Sequence, residues 1–243
     1  MTDVARRWQL ALARMASIGP PEDAANVATT LERVCMTVVD LVGASGAGVS
    51  LMADHARPGF VAASDALSRM LEELQFTLGE GPCIEAFGTG RPVLVPDLSD
   101  GDRRRWPLYA AAAQDLGIRA VFAFPIQVGA SRLGVLDVFC HQMGVLTAEQ
   151  VGQAITLADI AMMVILDGQQ AAPPGAIPKG FDQAPGFRAE VAQAQGMIMI
   201  QLGVSLTEAL VRLRAYAYAE NRPISDVAHD VVNRRLRFDG DSS

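Results

Sequence analysis

Cys83 is the residue whose neighbours best equip it for chemistry. In Gly79-Glu80-Gly81-Pro82-Cys83, two glycines permit positive φ, and Pro82 suits the first turn of a helix running on through Ile84-Glu85-Ala86. A thiol at a helix N-terminus has its pKa lowered by the dipole, which makes Cys83 a loop candidate for redox chemistry or ligand contact. No base or second thiol stands near it in sequence, so a small buried packing residue is the competing expectation. Cys35, Cys83 and Cys140 are odd in number, widely spaced and form no CxxC pair, so neither a disulfide framework nor a zinc site is indicated. His55, His141 and His229 are scattered singly and read as solvated or core residues. No metal is expected.

Phosphate recognition, the other chemistry on offer, falls to arginine, because Lys179 is the only lysine among the 20 basic residues. Residues 1–187 hold 13 basic and 20 acidic side chains, residues 188–238 hold 7 and 5, and the tail adds two aspartates. The larger part repels nucleic acid, so any such partner belongs to the C-terminal segment. There Arg188, Arg212, Arg214, Arg222 and the cluster Arg234, Arg235 and Arg237 could reach phosphates, and Tyr216 and Tyr218 could stack on unpaired bases. Each has a plainer role too. Arg214 lies beside an apolar stripe it could cover with its stem, and the Arg234–Arg237 cluster could be a solvated helix end.

The elements that must position these residues are legible as periodicity. Helices are expected over 5–16, 24–42, 66–74, 83–87, 108–116 and 147–167, and strands over 47–52, 59–63, 92–98, 120–128 and 133–140. The runs AVFAFPIQV and LGVLDVFC, joined by GASR, read as adjacent antiparallel strands. Thr147 and Gln150 form a capping box at the start of the last of these helices. Along it Val151, Ile155, Ala158, Met162 and Ile165 step by four and three, the spacing of a pairing seam, and point to a homodimer. The alternative is that the stripe covers the chain's own sheet.

A Pro/Gly-rich stretch over 168–186 breaks the chain into an N-terminal helical segment (1–21), a larger domain (22–167), that linker, a helical module (187–238) and a tail (239–243). The longest apolar run, near 160–166, is far shorter than the roughly 20 residues of a membrane helix. The N-terminus lacks the pattern of a signal peptide, so a cytoplasmic protein with no membrane partner is expected.

The order helix, GAGVSLMA, variable hairpin, TLGEGPCIEAFGTGRPVLVPDL, RAVFAFPIQVGASRLGVLDVF, exit helix resembles the GAF domain family over 22–167. The resemblance implies an α+β fold, an antiparallel sheet with helices on one side and a small-molecule pocket on the other. The NKxnF-type motif of cyclic-nucleotide binders and a bilin-attachment Cys-His context are both missing, so the ligand and any cofactor stay unnamed.

In the last segment, Val191, Ala194, Ile198 and Leu202 form the stripe of a first helix ended by Gly203. Ser205 and Glu208 cap a second, with stripe Leu206, Leu210, Leu213 and Ala217, and a third starts near Asp226. Ala194-Gln195-Gly196-Met197-Ile198-Met199, Gly203-Val204-Ser205, Leu213-Arg214, Asn221-Arg222 and Asp226-Val227-Ala228 resemble the ANTAR domain of transcription antitermination regulators. The resemblance implies a three-helix bundle binding paired hairpins in leader transcripts, with no catalysis. Gln195 stands where the family usually has lysine, so it could meet RNA only through hydrogen bonds. The reading is a signal-responsive RNA-binding antitermination regulator. The alternatives are a sensor whose helical tail pairs proteins without RNA, and a cysteine-based GAF methionine sulfoxide reductase.

Overall fold

The computed structural model describes residues 2–19, 26–52, 59–99, 105–171, 189–220 and 222–238. The elements run α1 (Asp3–Ile18), α2 (Val27–Val42), β1 (Gly46–Leu51), β2 (Gly59–Ala63), α3 (Ala66–Leu78), α4 (Pro82–Thr89), β3 (Val93–Val95), α5 (Pro107–Asp115), β4 (Ala120–Val128), β5 (Ser131–Cys140) and α6 (Ala148–Ala171). Three C-terminal helices follow: α7 (Ala189–Leu202), α8 (Leu206–Ala219) and α9 (Ile224–Val232). His55 and Arg188 lie outside the described residues, as does the expected linker beyond residue 171.

The five strands form one antiparallel sheet in the order β2-β1-β5-β4-β3. Alternation divides β4 and β5 between two cores. Phe122, Phe124, Ile126, Leu136 and Val138 face α1, α2 and α6, whereas Val121, Ala123, Val135 and Phe139 face α3, α4 and α5. Helices therefore cover both faces, where the resemblance implied one covered face and a pocket on the other. The physical reason is in the strands: the first five residues of β4 are all buried, so neither side can be left to water.

Side chains set the helix starts. Asn26 Oδ1 accepts from Ala28 N at 3.0 Å on α2, and Asp65 Oδ1 accepts from Ser68 N at 2.8 Å on α3. The capping box of α6 forms reciprocally, Thr147 N donating to Gln150 Oε1 at 2.8 Å and Gln150 N to Thr147 Oγ1 at 3.2 Å.

Helix α6 runs four residues past its expected end, through Gly168. Among the described residues it is the one continuous helix long and apolar enough to cross a bilayer, and it is used as core: Ala154, Leu157, Ile160 and Ala161 are buried against the sheet and its neighbours. This corrects the pairing seam. Ala158 and Ile165 belong to the chain's own core and Val151 and Met162 pack on its edge, so of the stepped stripe Ile155 is the member that stays exposed, with Met163 beside it.

The C-terminal helices enclose a small core of Ala194, Ile198, Ala209, Leu213, Ala217, Val227, Ala228 and Val231. Leu206, expected in that core, is exposed, and Ala209 takes its place. Helix α9 begins two residues before Asp226, because Pro223 fixes the turn entering it.

Candidate functional site

The sensor domain's interior centres on polar residues set among apolar ones. Glu72 and Gln75 come from α3, Cys83 from α4, Tyr109 from α5, Asp137 from β5 and Ser50 from β1, and all six are buried. The donor atoms of Glu72, Cys83 and Asp137 lie within 4.8 Å of one another. Ser50 Oγ donates to Glu72 Oε2 at 2.5 Å, and Cys83 N donates to Gln75 Oε1 at 2.8 Å. Glu80 Oε1 accepts from Leu108 N and Tyr109 N at 2.7 and 2.9 Å, so the loop carrying Glu80 also orients the helix that carries Tyr109.

The glycines expected to bend this loop do so. Gly79 ends α3 at φ +72°, and Gly81 precedes α4 at φ +137°, a conformation essentially reserved for glycine. A Cβ at Gly81 would fall 2.4 Å from Gln75 Oε1, the oxygen that holds Cys83 N. Pro82 opens α4 as expected.

The electrostatics run against the expected activation of Cys83. Burial, then the charges of Asp137 and Glu72, push its thiol well above the usual range, outweighing the dipole of an eight-residue helix. Burial and the charge of Asp137 likewise raise Glu72 well above ordinary carboxylates. Burial lifts Asp137 to about 6, while the side chains of Glu72, Cys83 and Gln75 restrain the rise. The pair thus favours a proton on Glu72 and a charge on Asp137. Sequence reasoning missed Glu72, Gln75, Tyr109 and Asp137. The available signal was a carboxylate inside the apolar run LGVLDVF, which a strand buried on both faces holds only with partners.

The RNA-contact candidates divide. Arg212, Arg234 and Arg235 are exposed, Arg212 beside Glu208 at 3.0 Å and Arg235 near Asp230 at 3.7 Å. Arg222 pairs with Asp230 at 2.6 Å. Arg234 holds φ +59°, the one positive φ outside glycine among the described residues, just past the end of α9. Gln195, Tyr216 and Arg214 also hold contacts within the chain itself. Gln195 Nε2 donates to Leu206 O at 2.7 Å, tying α7 to the start of α8. Tyr216 packs edge-to-face on Phe238 at 5.4 Å, while Tyr218 is exposed. Arg214 turns toward the sensor domain and donates from Nε to Phe76 O at 3.0 Å. Beside it Ile224 N meets Thr77 Oγ1 at 3.4 Å, so α8 and α9 dock on the C-terminal end of α3.

Comparison with known proteins agrees with this division. The GAF domain family model matches residues 24–166, and the ANTAR domain model matches residues 183–232. No curated protein matches the chain. Among solved structures, the GAF domain of a phosphoenolpyruvate-protein phosphotransferase from Coxiella burnetii is 17% identical with a TM-score of 0.52, covering 70% of this chain and 98% of that one. The corresponding domain from Acinetobacter is 13% identical with a TM-score of 0.53, covering 70% and 97%. A free methionine-R-sulfoxide reductase from Neisseria meningitidis, solved with its substrate, is 17% identical with a TM-score of 0.52, covering 71% and 96%. At these identities the likeness is one of fold alone. The chain belongs to the GAF domain family and carries an ANTAR domain after its GAF domain.

Proposed function

We propose that this protein is a cytoplasmic, signal-responsive regulator of transcription antitermination, in which the GAF domain takes a small-molecule signal and the ANTAR domain binds two-hairpin leader RNA. The observation that carries it is the order of the two matched domains along one chain. Exposed Arg212, Arg234 and Arg235, with Tyr218, supply cations and a stacking ring on the C-terminal module. Arg222 and Arg188 complete the candidate contact set, while the inward commitment of Arg214 fits a surface only partly offered to RNA until the signal arrives.

Filter binding of the full chain to a two-hairpin RNA, beside sequencing of RNA that copurifies with it, tests the reading. Enrichment of paired-hairpin leaders supports it. A folded protein that binds such RNA no better than an unstructured strand of equal length defeats it.

One observation favours a second reading, a helical tail that pairs proteins: Arg212, Arg222 and Arg235 already face carboxylates of their own module. Retained self-association without RNA affinity would decide for it. A homodimer is proposed in either case, through the exposed apolar residues of α6. A methionine sulfoxide reductase is the weakest reading, because Cys35 and Cys83 are fully buried with thiols pushed up, the reverse of a reactive cysteine.

A further inference from the structure

We propose that Glu72, Cys83 and Asp137 bind one divalent transition-metal ion of the zinc type inside the GAF domain. The three side chains come from α3, α4 and β5, so the fold, and not a local sequence motif, brings their donor atoms within 4.8 Å of one another.

An independent observation comes from residues outside that triad. Tyr109 Oη is fully buried and has no hydrogen-bond partner, and the charges of Asp137, Glu72 and Cys83 all act on it. Glu72 Oε1 and the two oxygens of Asp137 have only each other, the Cys83 thiol and the Gln75 side chain to turn to. Buried polar atoms are nearly always paired, and each one left over is costly. A proton shared between the two carboxyls would serve only those two groups. A cation among the three donors engages the carboxylates and the sulfur together and leaves Tyr109 Oη as a neighbour for a fourth position.

The supporting shell is already built. Ser50 Oγ holds Glu72 Oε2, which leaves Oε1 for the centre, and Gln75 Oε1 holds Cys83 N. Gly48 faces Asp137 across the β1–β5 pair, and a Cβ there would lie 2.5 Å from Glu72 Oε1, so glycine gives the carboxylate room to approach the sheet. Donor chemistry selects the ion. Calcium and magnesium require six or more oxygens, several of them water, whereas sulfur with two carboxylate oxygens suits a four-coordinate zinc-type ion. Binding displaces the Cys83 thiol proton and the Glu72 carboxyl proton to solvent, and the thiolate and both carboxylates donate to the metal with no change of oxidation state.

Cobalt(II) added to chelator-treated full-length protein is the probe, because thiolate ligation gives an ultraviolet charge-transfer band and tetrahedral ligation gives strong visible bands. We expect one equivalent to bind, zinc to displace it, Cys83→Ser to abolish the charge-transfer band, and Cys35→Ser and Cys140→Ser to keep it. Ser50→Ala should weaken affinity about tenfold through the supporting shell. If Cys83→Ser does not fold, X-ray absorption on the unmutated zinc protein decides, with a sulfur scatterer expected at about 2.3 Å. Absence of binding by folded protein, an all-oxygen shell, or a band that survives in folded Cys83→Ser each overturns the proposal. None of these readouts involves RNA, so the outcome is independent of the antitermination reading.

Discussion

Arg214 Nε donates to the carbonyl of Phe76 at 3.0 Å, a cation of the C-terminal module held by the carbonyl end of a sensor-domain helix, the negative end of its dipole. Burial lowers the pKa of this guanidinium, and the contact supplies a carbonyl where a carboxylate would compensate better. The docking it makes is therefore specific in geometry and modest in strength.

Gly79 reports on that docking. A Cβ there would lie 2.6 Å from Arg214 Nη1 on a backbone already at φ +72°, so Gly79→Ala should cost about 1–2 kcal/mol from the backbone alone, plus the clash. In an Arg214→Ala background only the backbone part remains. Urea denaturation of the four proteins should give a coupling of at least about 0.5 kcal/mol. Strict additivity would mean that the two residues do not meet in solution.

Gln195→Lys exchanges a hydrogen bond to Leu206 O for a cation. With melting temperature close to that of the parent, log affinity for two-hairpin RNA should rise and should fall more steeply with log salt, by about 0.7–0.9 in slope. An unchanged slope places Gln195 away from the RNA.

Arg234→Gly separates stability from binding. Releasing a left-handed arginine should stabilise the protein by about 1 kcal/mol and raise Tm by roughly 2–4 °C. RNA affinity should fall at the same time. A Tm that drops would show that the arginine side chain, and not its backbone, governs this corner.

Asp65 gives a pH signature. Partial burial opposes its charge, but hydrogen bonds from Ser64 Oγ and from Ser68 N and Oγ prevail and hold its pKa below the ordinary carboxylate value. A depressed folded pKa contributes stability that is whole above the unfolded value and drains away as pH falls through the folded one. Asp65→Ala should cost about 1 kcal/mol at neutral pH as a lost cap, and the difference from parent should shrink in acid thermal scans. Because Asp65 is largely exposed, the pH-linked share is the smaller one.

Ile155→Glu with Met163→Glu places charges on the exposed apolar residues of α6 without touching its core face. Light scattering should then report the monomer mass, since unpaired charge in an apolar interface is costly. An unchanged larger mass puts the interface elsewhere.

The limits of the sequence reading follow from which forces are local. β2 and β4 matched the expected spans because turn residues and alternation act over a few neighbours, and the caps at Thr147 and Ser205 were readable because a cap spans four residues. The seam on α6 misled because spacing shows that a stripe exists, while the packing of α1, α2 and the sheet decides what covers it. Glu72 and Asp137 escaped notice for the same reason. Each is a single polar letter in an apolar stretch, and their meeting depends on α3 lying across β1 and β2, where Gly48 leaves room for Glu72 to approach the neighbouring strand. Arg214 was noticed, but its direction belongs to the docking between domains, which no local pattern encodes.

Helix α3 turns Glu72 and Gln75 to the interior, while the next residues, Phe76 and Thr77, hold α8 and α9. An element shared in this way obeys a symmetry. If a solute seated beside Glu72 moves α3 and changes RNA affinity by some factor, bound RNA must change the affinity for that solute by the same factor. The transcript is then an effector of the sensor as much as its output, and titrating either partner in the presence of the other must return one number.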